Sequence, residues 1–75
     1  MNESEQILFM QIRLLRMTAA KFSLTLKHAA QLFGKYDVLQ FIRNGFGIFH
    51  VESDAAVFEE VKDFLKSKGV AICNS

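Results

Sequence analysis

The sequence predicts a compact, mostly α-helical single domain over residues 1–75, built of four helices. Three observations carry that expectation. The chain has no proline and only four glycines, so its apolar stretches run without the usual helix breakers. Those stretches repeat at three-to-four-residue spacing, with Ser, Thr, Asp or Gly between them. A composition of 51% hydrophobic and 23% charged residues, with eight Phe, belongs to a folded chain rather than a disordered one. At this length a chain buries only about 60–65% of its unfolded surface, so the core is thin and docking or self-association is a common source of added stability.

The first segment, about Glu3 to Phe22, is rich in Leu, Ile, Met and Arg. At helical spacing, Leu8, Ile12, Leu15, Ala19 and Phe22 form one apolar stripe, and Ile7, Met10, Leu14 and Met17 form a second. Only a narrow polar strip of Glu5, Gln6, Arg13 and Arg16 remains, as expected of a central helix wrapped by the others. Ser23 or Thr25 can cap a second helix, Leu26 to Phe33, with Gly34 as its left-handed terminator. Asp37 opens a third, with Gln40 as its capping-box partner and Gly45 and Gly47 ending or distorting it. Asp54 caps a fourth, about Ala55 to Ser67, whose Val57, Phe58, Val61, Phe64 and Leu65 share an arc of roughly 120°. Gly69 ends it. Two short apolar runs, 47–51 and 70–73, flank this helix and have the lengths of a parallel strand pair, although a lone two-stranded sheet is marginal.

Composition excludes several classes of function. A single Cys rules out a disulfide within the chain and fits a reducing compartment. The acidic start, Met-Asn-Glu-Ser-Glu, is unlike a secretory signal, and Ile7 to Met17 is too short and too charged to cross a bilayer. The expected location is cytoplasmic, with no membrane partner. Net charge is +1: residues 1–45 carry six cations against three anions, and residues 46–75 carry three against five. With a pI near 7.9, the chain lacks the strongly basic footprint of an obligate nucleic-acid binder.

No catalytic or metal site and no cofactor is expected. His28, His50 and Cys73 are the only side chains whose ordinary titration lies near neutrality, and 22 and 23 residues separate them. That spacing lacks the short ligand pairs of zinc sites. There is no Gly-rich phosphate loop, HExxH or GxSxG. Cys73 reads as a small hydrophobe near a fraying end. His50, at a junction between elements, reads either as a structural histidine bonding nearby backbone or as a polar contact for a partner.

Two binding readings remain. A helix-turn-helix over Thr25 to Asn44 would expose Gln40, Arg43 and Asn44, side-chain types that read bases. Setting Gly34 at the turn glycine puts Gln40 where a buried aliphatic belongs, so the register fails by one. The other reading is contact with a protein. Phe9 falls within the polar strip of the first helix, while Gln11 and Thr18 lie among apolar neighbours. A broad-faced helix in so small a domain suits a second chain, either a partner or another copy. Phe9, Arg13, Arg16 and His50 are the candidate partner-binding residues.

The run Ala30-Gln-Leu-Phe-Gly-Lys-Tyr-Asp-Val-Leu-Gln-Phe-Ile42, then Phe49-His50, then Val57-Phe-Glu-Glu-Val-Lys-Asp-Phe-Leu65 and Gly69, resembles a family of short bacterial proteins that carries only a domain-of-unknown-function label. The resemblance covers about Ile7 to Gly69 and lies in the order and spacing of its elements. It departs after the histidine, where members often continue Thr-Gln or Thr-x-Gly and this chain has Val51-Glu52-Ser53. Such proteins are often encoded beside proteins resembling ADP-ribosyltransferases. The resemblance therefore implies an accessory or neutralising partner of a neighbouring gene product. The combined expectation is a non-enzymatic interaction module, with nucleic-acid binding as the alternative.

Overall fold

A computed structural model of the chain describes residues 1–70. Four helices follow in order: α1 (Glu3–Lys21), α2 (Leu26–Lys35), α3 (Val38–Phe49) and α4 (Asp54–Ser67). The expected helical domain is what forms.

Helix α1 starts from a capping box that the sequence displays as Asn-Glu-Ser-Glu. The Asn2 side chain accepts from the Glu5 N–H at 2.8 Å, and the Glu5 carboxylate accepts from the Asn2 N–H at 3.2 Å. The helix closes with Leu24 N–H on Ala19 O and Ser23 N–H on Ala20 O, around Ser23 at φ 56°. Ser23 thus terminates α1, and Thr25 alone caps α2, accepting from the His28 N–H.

Three boundaries differ from expectation, each for a local reason. Gly34 lies inside α2, and the left-handed residue after that helix is Asp37, at φ 57°. A capping side chain works from extended backbone, so Asp37 makes no cap bond, and Gln40 donates to Asn44 instead at 2.8 Å. The cap of α4 is Ser53, whose Oγ accepts from the Ala56 N–H, while Asp54 is already helical.

The run at 47–51, whose length also suited a strand, is not one: Gly47 to Phe49 are the last turn of α3, and His50 and Val51 form the turn after it. Ile42, Phe46 and Phe49, at helical spacing, are all buried, and that burial carries the helix through both glycines. Ala71 to Cys73 of the other run lie outside the described residues, and Val70 packs against the core.

The core draws Ile7, Met10 and Leu14 from α1, Phe33 from α2, Val38, Ile42, Phe46 and Phe49 from α3, and Val57, Phe58, Val61 and Leu65 from α4. Helices α1 and α3 each pack on all three others, whereas α2 and α4 do not meet. The central role expected for α1 is therefore shared with α3. Gln11 and Thr18 are buried with backbone partners: the Gln11 amide donates to Leu39 O at 2.9 Å, and the Thr18 hydroxyl to Leu14 O at 2.8 Å. Of the two stripes on α1, the Ile7–Met10–Leu14 stripe faces inward. In the other, Leu8 and Ile12 remain 51% and 38% exposed.

Candidate interaction cleft

Where α3 crosses the first half of α1, an open cleft of about 300 Å³ forms, lined by Met1, Gln6, Phe9, Met10, Arg13, Phe46 and His50. Gln6, Phe9, Met10 and Arg13 stand three and four residues apart, so one flank of α1 supplies them all. Phe46 and His50, four apart, come from the end of α3. Met10 and Phe46 are buried and form an apolar floor, while Phe9 is 44% exposed.

Two polar side chains on the cleft are held in place. The Arg13 guanidinium donates from Nε to Asp54 Oδ2 at 2.9 Å and from Nη2 to Oδ1 at 3.4 Å, tying α1 to the first turn of α4. The His50 ring stacks on Phe46 with centroids 5.4 Å apart, and its Nδ1 lies 2.9 Å from Phe46 O. Because a carbonyl oxygen only accepts, Nδ1 is the donor in this contact. His50 is thus a structural histidine bonding backbone and a cleft residue at once.

Three of the four candidate partner-binding residues, Phe9, Arg13 and His50, are brought together here. Arg16 is not: it is exposed on α1 outside the lining. Sequence reasoning missed Gln6, Met10, Phe46 and Met1 as lining residues. Gln6 and Met10 stand one turn before Phe9 and Arg13 respectively, but nothing in the sequence shows that the end of α3 lies against that flank. Gln40, Arg43 and Asn44 are exposed on α3, with Gln40 and Asn44 bonded to each other. Among the described residues, no group of three or more His, Cys, Asp or Glu could hold a metal ion, and no helix is long and apolar enough to cross a membrane.

Fold and cleft together define a small helical domain with a side-chain-lined opening between α1 and α3. The chain belongs to the family described as Protein of unknown function (DUF3791), whose model matches residues 9–68. That span nearly equals the one over which the sequence resemblance runs. No curated protein and no solved structure matches the chain.

Proposed function

We propose that this chain is a non-enzymatic, cytoplasmic protein-interaction module that grips a protein partner through the cleft of Phe9, Arg13 and His50. The observation that carries the reading is the meeting of an exposed aromatic ring, an apolar floor and a few fixed polar groups in one opening. That composition suits an apolar side chain of a partner, oriented by a hydrogen bond at the rim. Arg13 and His50 already hold Asp54 and the Phe46 carbonyl, so both side chains are fixed in orientation at the rim of the cleft. The family resemblance supports a neighbouring gene product as the partner, with this chain in an accessory or neutralising role.

Co-expression with the neighbouring gene product, followed by affinity capture and calorimetry, tests the reading. Phe9→Ala should weaken the complex by about 2 kcal/mol or more, as an interface aromatic does. His50→Ala should weaken it less. A complex indifferent to both substitutions overturns the assignment. Binding to genomic DNA with a steep salt slope that Arg43→Ala flattens would replace it with the nucleic-acid alternative.

A further inference from the structure

The outer face of α1 carries a second pattern, which shares only Phe9 with the cleft. Glu5, Phe9, Ile12 and Arg16 are separated by four, three and four residues, the spacing of a coiled-coil seam. At about 100° per residue, the four lie within roughly 60° of arc. All four are exposed, with Phe9 at 44% and Ile12 at 38%. Among the described residues the ion pairs are Arg13–Asp54 and Lys62–Glu59, so Arg16 has none. One oxygen of Glu5 takes the Asn2 N–H, and the other is left for a further donor.

The order along this seam is acid, apolar, apolar, base. Two copies running parallel would set Glu5 against Glu5 and Arg16 against Arg16. Two copies running antiparallel, related by a two-fold axis at the level of Met10 and Gln11, set each Glu5 against the Arg16 of the other copy. The same operation places each Phe9 beside the other copy's Ile12. We propose that this protein forms a homodimer through an antiparallel, two-fold α1–α1 contact along Glu5, Phe9, Ile12 and Arg16. The axis lies across the seam, so both copies of Leu8, 51% exposed, fall on one edge and extend the apolar centre. A two-fold contact is self-complementary and closes on itself, so it yields a dimer and not a filament. The seam is only about 17 Å long, which places the dimer in the weak, micromolar class. The inference rests on the interaction reading only through Phe9, which belongs to both surfaces.

Sedimentation velocity over a range of concentrations tests it, with circular dichroism confirming that each variant stays helical. Ile12→Asp should weaken association more than tenfold, whereas Ile48→Asp, equally apolar and 67% exposed off the seam, should leave it unchanged. Glu5→Lys and Arg16→Glu should each weaken it about tenfold, because each turns two attractive pairs into repulsive ones. An equimolar mixture of these two variants should regain wild-type association. In the mixed dimer the two substituted side chains, one cationic and one anionic, face each other, and the unsubstituted Arg16 and Glu5 form the second pair. A mixture no tighter than its components overturns the antiparallel pairing. A wild type that stays monomeric at millimolar concentration overturns the dimer altogether, and if it still captures the neighbouring gene product the interaction reading survives. Conversely, an intact dimer that captures nothing removes that reading and leaves this one standing.

Discussion

Gly45 and Gly47 lie two residues apart in the same helix, yet a methyl group at each would meet different surroundings. A Cβ on Gly45 would overlap the ring of Phe49, which is buried and lies beside Phe41 with centroids 5.6 Å apart. A Cβ on Gly47 would meet nothing within 4 Å. Gly47→Ala should therefore raise stability by about 0.5–1 kcal/mol through helix propensity alone. Gly45→Ala should lower it by about 1 kcal/mol or more, because the ring must leave its site. Urea unfolding of both variants checks the pair, and equal gains from the two would show that Phe49 does not occupy the space over Gly45. Residue type also settled some caps and not others. Thr25 acts as a cap because its backbone is extended, whereas Asp37, an equally good capping residue, sits in left-handed backbone that aims its carboxylate elsewhere.

At the level of elements, α4 was the most legible. Its Val57, Phe58, Val61 and Leu65 are buried, as their arc predicts, and Phe64 is half-buried, stacked on Phe41 at 4.3 Å. Lys68 and Gly69 close the helix, with Val70 N–H on Leu65 O around Gly69 at φ 85°. Phe58 packs against Phe22 at the end of α1, with centroids 5.5 Å apart. Phe58→Ala should cost about 3–5 kcal/mol, a large share of the stability of so small a domain. Lys66→Ala, on the exposed face, should shift stability by no more than about 0.5 kcal/mol. Thermal denaturation distinguishes them, and similar small shifts for both would mean that Phe58 is not a core residue. Helix α3 was less legible because its last turn, Gly47-Ile48-Phe49, is a short apolar run whose periodicity alone fits a strand or a helix. Its length as part of a longer buried stripe decides the matter, and that stripe needs Phe46 and Phe49 against the core.

As a whole molecule the domain is slightly elongated, 35 × 21 × 20 Å, with a radius of gyration of 11.6 Å against about 11 Å expected for a compact chain of this length. The long dimension follows from α1, whose 19 residues span about 28 Å. The shorter helices cover its inner face but not its outer one, which is why Leu8, Phe9 and Ile12 reach solvent together. Burying that face in a dimer couples folding to association. The wild-type melting temperature should therefore rise by several degrees over a roughly hundredfold range of concentration around the dimer's Kd. The Ile12→Asp melting temperature should not change. Concentration-independent melting of both proteins would count against any self-association through α1.

Helix number, helix order and most of the core follow from the sequence, because apolar spacing and capping residues act within a few positions of one another. The strip of Glu5, Gln6, Arg13 and Arg16 on α1, with Phe9 inside it, was legible for the same reason. Tertiary structure decided what depends on the crossing of α1 and α3. It selected the stripe of Ile7, Met10 and Leu14 as the inner one and gave Gln11 its acceptor on Leu39. It also set His50 and Phe46 beside Phe9 and Arg13 while leaving Arg16 outside the cleft. Local periodicity places a side chain on a face of its own helix. Which neighbour covers that face is set only when all four helices share one core.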